Sequence, residues 1–293
     1  MIGLGLTEWA LQTGLAITVL VGLILIIRRP FTKVFGAGAT YALWSLPLIR
    51  LFMPSITLPA FQKEVPSILT EINLVQKPIQ FTDIAQAETN VSGSFNIWFV
   101  VTGLWLGIAA LWFIYQVCRQ SVFMSRLRRE TSLVPQNMWA EIDAAMTVLG
   151  LKTRPDIRLA RDKMGPMVTG ISRPIIILPH NFYEDYTPQQ RHFALVHELA
   201  HIKRHDLWAA FLVLGFRAIN WPNPLIHYAA HKFRADQEAA CDAFVLSKVD
   251  GGITATQSYA ETLVHAATST RSHLSPAPLG LALAPHNKGE SHD

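Results

Sequence analysis

Charged residues are scarce in this chain of 293 residues, since Asp, Glu, Lys and Arg together make up 16% of it. A soluble domain of ordinary composition carries about 25%. Half of the residues are hydrophobic, and the mean hydropathy is +0.25. The composition therefore argues against an ordinary soluble domain, and a membrane protein is the first expectation.

Cysteine and dense basic tracts are also nearly absent. Cys118 and Cys241 are the two cysteines, and neither lies in a Cys-x-x-Cys pattern, so no disulfide framework or cysteine zinc ribbon is indicated. The net charge is +4, but the basic residues form small clusters beside apolar runs. This distribution indicates membrane topology rather than direct binding of nucleic acid.

Long apolar runs are the main feature that the chain does have. Three of them are long enough to cross a hydrocarbon core, at about residues 9–27, 35–53 and 97–117. Arg28 and Arg29 follow the first run, and a cluster of arginines follows the third. Because positive charge marks cytoplasmic loops, we expect three membrane helices with the amino terminus outside a bacterial-type cytoplasmic membrane.

These runs also predict the domain organisation. We expect a transmembrane region at 1–117 with an external loop at 54–95, a folded cytoplasmic domain at 118–250, and a polar, flexible tail at 251–293. Residues 132–192 alternate helical and strand-like patterns, which is typical of a folded domain. The remaining chemistry is concentrated after that segment.

The pattern His-Glu-x-x-His is formed by His197, Glu198 and His201. Residues four apart on a helix lie on one face, with Cβ atoms roughly 5–6 Å apart, so both imidazoles can reach one zinc ion. Glu198 is close enough to take a proton from a water in the open position of the metal. The alternative is a helix that contains two histidines by chance. Thr187 followed by Pro188 predicts where this helix begins.

A second candidate group is the acidic pair Glu238 and Asp242, which share one face of a predicted helix from Leu225 to about Lys248. One carboxylate can bind the metal while the other accepts the free ring N–H of a ligating histidine. A solvated acidic face is the alternative. The neighbouring residues are apolar, however, and buried carboxylates require a partner. We therefore predict that Glu238 is the third zinc ligand and that Asp242 accepts the free ring N–H of a ligating histidine.

A shared metal constrains the apolar run from Leu207 to Pro224. One complete membrane crossing between His201 and Glu238 would leave the two ligands on opposite faces. We therefore expect a membrane-associated helix that turns at Trp221-Pro222-Asn223-Pro224 and does not exit.

Other residues are candidates for further roles. His205 is a weaker ligand candidate one turn beyond His201, and a metzincin-type third histidine is excluded because Leu207 stands at that position. Cys241 is expected to be an inert buried thiol. Candidate donors to a developing oxyanion on the Glu238 helix are His227, Tyr228, His231 and Arg234.

Prolines bracket the strand-like run of Ile175, Ile176 and Ile177. Proline favours an edge position, so this run is either an edge strand that accepts a peptide substrate or an ordinary core strand.

Several motifs in this order resemble the BlaR/MecR family of integral-membrane zinc metallopeptidases. They are HELAHIKRHD from His197, WPNPLIHYAA from Trp221, EAACD from Glu238, VTGISRPIIILP from Val168 and YALWSLPLIRLFMP from Tyr41. The resemblance covers most of residues 1–250. It implies an α+β membrane protein with three amino-terminal transmembrane helices and a mainly helical, gluzincin-like peptidase domain with a small β-sheet.

The resemblance also implies roles for site residues. One zinc ion would be held by His197, His201 and Glu238 on the cytoplasmic side, with Glu198 as general base. In family members characterised as antibiotic receptors, an external sensor triggers autocleavage and loss of a DNA-binding repressor. A protein substrate, which includes such a repressor or the chain itself, is therefore the implied partner besides the lipid bilayer.

The segment after Asp250 departs from the family pattern. It has no apolar run of spanning length, no Ser-x-x-Lys motif and too few residues for a penicillin-binding sensor domain. We expect a peptidase-only member or one truncated relative to longer relatives. β-Lactam sensing is not supported by these residues.

Two other functional classes stay open. A quality-control or processing protease of the HtpX or CAAX type shares the histidine motif and a distant glutamate, although the A-C-D and W-P-N-P segments fit it less well. A non-catalytic membrane signal transducer with a structural zinc site would require a fourth side-chain ligand. The sequence identifies neither the substrate nor the inducing signal nor the oligomeric state.

Overall fold

A computed structural model of the protein describes residues 2–53, 97–160, 164–249, 252–269 and 281–282. The external loop that we expected at 54–95 lies outside these ranges.

The described residues form helices and a small mixed sheet. The helices are α1 (Ile2–Leu43), α2 (Ser45–Phe52), α3 (Ile97–Glu130), α4 (Trp139–Leu149), α5 (Phe182–Asp185), α6 (Pro188–Lys203), α7 (Asp206–Ile219), α8 (Pro224–Leu246) and α9 (Gly252–Ser269). The strands are β1 (Thr131–Leu133), β2 (Asp156–Ala160), β3 (Met167–Thr169), β4 (Ile175–Leu178) and β5 (Leu281–Ala282). The expected α+β class, mainly helical with a small sheet, is confirmed.

Two helical stretches, not the three that we expected, are long and apolar enough to cross a membrane. They are Ala10–Phe52 and Ile97–Glu130. The first stretch merges two predicted membrane helices, because α1 continues through Arg28, Arg29 and Pro30. Proline and two arginines do not end a helix that tertiary contacts support. The prediction of three separate membrane helices is therefore wrong, since the described residues contain two stretches of this kind.

Gly36 turns the first stretch back on itself. Its φ of 81° and ψ of 170° lie outside the helical region and suit a residue without Cβ. Thr32 and Thr40, on either side, have hydroxyl oxygens 2.8 Å apart. Trp44 packs in one buried cluster with Ile24, although twenty residues of straight helix would separate them by about 30 Å. We call residues 10–52 the membrane hairpin.

The sheet has the order β1-β2-β4-β3-β5, with β2 and β4 parallel and the other pairs antiparallel. Strand β4 is central and paired on both sides. Ile176 and Leu178 face the cluster that contains α4 and α6, whereas Ile175 and Ile177 face α3. The alternative that Ile175, Ile176 and Ile177 form a substrate-binding edge is therefore wrong, because both backbone edges of β4 already have partners.

Helix α6 carries the histidine motif and is buried between several elements. Thr187 accepts from the backbone N–H of Gln190, and the Gln190 side chain accepts from the Thr187 N–H, which forms a capping box. Pro188 occupies the first turn. The residues from Phe193 to His201 are all buried. This burial removes both motif histidines from bulk solvent.

Helices α7 and α8 form a second hairpin that returns the chain to α6. The Asn223 side chain at its turn donates to Thr18 of α1 at 2.8 Å. Asp236 further along α8 pairs with Arg28 of α1 at 2.8 Å. Both contacts advance in the same direction along the two helices, so α8 runs parallel to α1 and ends beside the histidine motif.

Residues 252–269 are helical and correct the expectation of a flexible tail from 251 onward. Tyr259, Thr262 and Ala266 of α9 are buried to 2% exposure or less, and Leu263 packs against the same core. This i, i+3, i+4, i+7 spacing is the apolar stripe of an amphipathic helix. Abundant Ser, Thr and Ala conceal the stripe in the sequence.

Arg191 links α6 to α4. It donates to both carboxylate oxygens of Glu141, at 2.9 and 2.8 Å, and to the carbonyl of Tyr186 at 2.9 Å. The hydrogen bonds from Arg191 hold the pKa of Glu141 below its usual range. The pair therefore stabilises the folded state above the unfolded pKa of Glu141, and this contribution is lost as the pH falls through the lowered folded value.

We predict that Glu141→Gln lowers the free energy of unfolding by about 1–3 kcal/mol at pH 7, because it leaves the Arg191 guanidinium with a weaker partner. The difference from wild type should shrink below about pH 4. Urea unfolding in detergent micelles, followed by circular dichroism, measures this. Asp143→Asn is the matched control: Asp143 lies on the same helix as Glu141, but its pair with Arg154 is exposed, so a change within about 0.5 kcal/mol is expected. Equal effects of both substitutions contradict the prediction.

Candidate metal centre

Three side-chain atoms from α6 and α8 converge on one point. Nε2 of His197 and Nε2 of His201 are 3.1 Å apart. Oε2 of Glu238 is 3.6 Å from the first nitrogen and 3.4 Å from the second. Tetrahedral ligands about 2.0–2.1 Å from a zinc ion lie roughly 3.3 Å from one another. The spacing of these three atoms therefore fits one zinc ion.

Glu198 lies beside these atoms with no exposed surface. Neither carboxylate oxygen has a hydrogen-bond partner among the described residues. Burial raises the pKa of Glu198 to about 7, while the charges of His197 and His201 oppose the rise. A buried carboxylate without a partner is costly unless a water or cation satisfies it. The orphaned group therefore fits a site that holds a metal and a water.

Asp206 supports His201 from the start of α7. Its Oδ2 is 2.8 Å from Nδ1 of His201, and the carboxylate is fully buried. This bond leaves Nε2 of His201 as the nitrogen that faces Glu238. The sequence reasoning missed this role, although Asp206 ends the motif segment that begins at His197.

Tyr259 supports His197 from α9. Its hydroxyl oxygen is 2.7 Å from Nδ1 of His197, and the hydroxyl donates to Oδ1 of Asp242 at 2.8 Å. Burial and the charge of Asp242 raise the pKa of Tyr259, so the hydroxyl keeps its proton. Asp242 itself is 3.4 Å from Nδ1 of His197. Asp242 thus lies next to His197, and the hydroxyl of Tyr259 lies between its carboxylate and the imidazole ring.

Acidic groups surround the two imidazoles. Burial alone lowers the pKa of His197, but Cys241, Asp242 and Glu238 outweigh it and raise the pKa to about 10. The pKa of His201 is raised in the same way by Cys241, Glu238 and Asp206. Burial raises the pKa of Glu238, yet the two histidines bring it well below its usual range. The donor set therefore attracts positive charge, which protons or a divalent metal can supply.

Cys241 is a competing third ligand. His197, His201 and Cys241 offer ligand atoms that all lie within 4.8 Å of one another. The Cys241 thiol, however, donates to the carbonyl of His197 at 3.8 Å, whereas Glu238 places one oxygen near both Nε2 atoms. Distance therefore favours Glu238 over Cys241.

His205, the weaker ligand candidate, lies away from the point where the three ligand atoms converge. So do two of the oxyanion candidates, His227 and Tyr228. His205 is exposed and has a left-handed φ of 58° in the turn between α6 and α7. His227 is engaged at the far end of α8, where Nε2 is 2.9 Å from the carbonyl of Trp221 and Nδ1 is 3.4 Å from Arg217. Tyr228 is 52% exposed.

Arg234 and His231 lie on the same helix, closer to Glu238. Arg234 is one turn before Glu238 and interacts with its charge. His231 is exposed and lies about two turns before Glu238. Of the four oxyanion candidates, the fold thus brings Arg234 nearest to the metal site, and its role stays a prediction.

A pair of helix-borne histidines with a carboxylate from a second helix, beside membrane-length helices, defines a metallopeptidase-like membrane protein. The chain belongs to the BlaR1 peptidase M56 family, whose model matches residues 9–287. The resemblance noted in the sequence is thereby confirmed.

Individual relatives show how far the similarity extends. The chain is 21% identical to the regulatory protein BlaR1 of Staphylococcus aureus over 238 residues, which are 78% of this chain and 40% of that protein. It is 32% identical to the regulatory protein BlaR1 of Bacillus licheniformis over 85 residues, 29% of this chain and 14% of that protein. It is 35% identical to the methicillin resistance mecR1 protein of Staphylococcus aureus strain Mu50 over 81 residues, 28% of this chain and 14% of that protein. Each match covers less than half of the relative's length.

Zinc binding should release a proton, because the raised pKa values of His197 and His201 favour a proton between their Nε2 atoms in the metal-free site, and a ligating nitrogen must be deprotonated. The sign follows: as the pH falls, protons compete better, so the apparent zinc affinity decreases. Competition with a chromogenic chelator between about pH 8 and about pH 6, corrected for protonation of the chelator, measures this. An affinity that does not change with pH contradicts the assignment of the two histidines.

Tyr259→Phe should weaken zinc binding by about 10-fold, because groups that orient a ligating histidine typically contribute 10- to 100-fold to metal affinity. His205→Ala is the control, and we expect its zinc affinity to equal that of wild type because His205 lies outside the site. The same chelator competition measures both variants. If His205→Ala weakens binding and Tyr259→Phe does not, the ligand assignment is wrong.

Proposed function

We propose that this protein is a zinc metalloendopeptidase that cleaves a protein substrate at the cytoplasmic face of a membrane. One observation carries the proposal: Nε2 of His197, Nε2 of His201 and Oε2 of Glu238 converge beside the unpaired carboxylate of Glu198. A zinc peptidase site needs three protein ligands, a fourth coordination position that is open to water or substrate, and a base beside that position. The family membership supports a peptidase activity.

Each residue then has a defined task. Bound zinc supplies a Lewis acid that lowers the pKa of water and polarises the scissile carbonyl. Glu198, with a pKa near 7, accepts the proton of the attacking water and delivers it to the leaving amine. Asp206 and Tyr259 keep the two imidazoles oriented.

The outer edge of β3 is the substrate position that the fold supports. Strand β3 contacts α6, and the backbone of Val168 lies close enough to Glu198 to lower the pKa of its carboxyl, without a hydrogen bond of normal geometry to either oxygen. On the side away from β4, β3 pairs antiparallel with β5, through Val168 with Leu281 and Met167 with Ala282. Strand β5 thus occupies this edge as an added strand, and a substrate segment would bind there by strand addition in place of β5. Since β5 belongs to the chain itself, the pairing supports autocleavage as well as cleavage of another protein.

Contacts along α1 support a location at the membrane surface. Arg28, at the end of the first apolar run, pairs with Asp236, two residues before Glu238. The turn between α7 and α8 contacts Thr18, ten residues earlier, which is about 15 Å further along α1. The second hairpin therefore enters the membrane and returns, while the metal site stays at the basic, cytoplasmic side.

The relatives' names support a role in signalling. Two are called regulatory proteins, and one is called a methicillin resistance protein. We infer regulatory proteolysis here, with a DNA-binding repressor or the chain itself as substrate.

A closed structural zinc site is the second candidate. The observation that favours it is Cys241, which could fill the fourth position beside His197 and His201. A closed site would make the protein a signal transducer without catalysis. Cys241→Ala discriminates the two, because it weakens zinc binding only if the thiol is a ligand.

We predict that Glu198→Gln retains zinc but lowers cleavage by at least about 100-fold, because the amide cannot accept the proton of the water. Comparing new protein amino termini in membranes from cells with wild type and with Glu198→Gln identifies the substrates and measures the loss. His205→Ala serves as the control and should cleave like wild type. Proteolysis that is unchanged in Glu198→Gln refutes the mechanism.

A further inference from the structure

We propose that Tyr41 of the membrane hairpin is a positioning residue for the metal centre. It holds Asp206, and Asp206 holds the ring of His201. The inference rests on the proposed function, since it requires His201 to be a zinc ligand.

A chain of hydrogen bonds links the hairpin to His201 through the carboxylate of Asp206. The amide of Gln237 donates to the hydroxyl oxygen of Tyr41 at 3.0 Å. The Tyr41 hydroxyl can therefore direct its hydrogen to Oδ1 of Asp206, which is 3.4 Å away. The other oxygen, Oδ2, accepts from Nδ1 of His201 at 2.8 Å. The carboxylate of Asp206 is thus shared between the hairpin and the histidine.

Two further residues tie the same contact into the site. Gln237, which precedes Glu238, also donates to the backbone carbonyl of Asp206 at 3.1 Å. Arg204 pairs with Oδ1 of Asp206 at 3.4 Å and lies over the ring of Tyr41, 5.3 Å from its centroid. Asp206 and Gln237 have no exposed surface. Water therefore cannot easily replace the Tyr41 hydroxyl if it moves away.

Trp44 anchors the same hairpin without touching this chain of bonds. Its indole N–H donates to Oδ2 of Asp236 at 2.8 Å, and Arg28 pairs with Oδ1 of the same carboxylate at 2.8 Å. Neither contact reaches Asp206 or His201. Attachment of the hairpin to α8 and positioning of His201 are therefore performed by different side chains, which experiment can separate.

This arrangement makes the metal site depend on the membrane segment. A displacement of the hairpin relative to α7 would move Tyr41, release one oxygen of Asp206, and loosen the His201 ring. The zinc affinity is thus expected to change when the membrane hairpin shifts relative to α7.

The test compares Tyr41→Phe with Trp44→Phe in the full chain, purified in detergent. Tyr41→Phe keeps the ring and its contact with Phe233 and removes only the hydroxyl. Two readouts are measured: zinc affinity by chelator competition, and the visible absorption spectrum of the Co²⁺-loaded protein. We expect Tyr41→Phe to weaken zinc binding about 3- to 10-fold, less than a direct partner of the histidine would, and to shift the spectrum. Trp44→Phe should stay within about 2-fold of wild type.

A double-mutant comparison tests the route. If Tyr41 acts through Asp206, adding Tyr41→Phe to Asp206→Asn produces no further loss of zinc affinity. An additive loss overturns the inference. So does a Tyr41→Phe protein that matches wild type in both readouts, or a Trp44→Phe protein that loses as much affinity as Tyr41→Phe.

The wild-type result separates this inference from the proposed function. If wild type binds no zinc, the proposed function fails first. If wild type binds zinc and cleaves, while Tyr41→Phe behaves like wild type, only the positioning role of Tyr41 is refuted.

Discussion

The carboxylate of Asp206 is removed from water completely, and much of the structure is arranged around it. A buried charge is tolerated only with partners, and this one takes them from separate parts of the chain: His201, Arg204 and Tyr41. Gln237 holds its backbone carbonyl. The partners of the charge come from the end of α6 and from the membrane hairpin, and the bond to the backbone carbonyl adds α8, so the contacts of one residue fix the relative positions of three elements.

The two histidines are supported from opposite directions. His201 depends on Asp206, immediately after α6, whereas His197 depends on Asp242 and Tyr259, which lie on α8 and α9. Glu198 between them is buried and has no partner among the described residues. The residues that orient the two histidines thus have hydrogen-bond partners. Glu198, which lacks one, is the residue suited to exchange a proton.

The return of the chain between the histidines and Glu238 places the metal site relative to the hairpin. Helix α8 runs parallel to α1, from Asn223 beside Thr18 to Asp236 beside Arg28. The carboxylate of Glu238 follows within one turn. Strand β3 also contacts α6, and its edge away from β4 pairs with β5.

Helical periodicity and capping are local properties, and the sequence by itself therefore determined the shared face of His197 and His201, that of Glu238 and Asp242, and the start of α6 at Thr187. The reversal at Gly36, the central place of β4, and the roles of Asp206 and Tyr259 were decided only by the tertiary structure. Each of these depends on which distant elements meet. A glycine permits a turn but does not impose one, and a buried tyrosine acquires its partner only when α9 packs on α6.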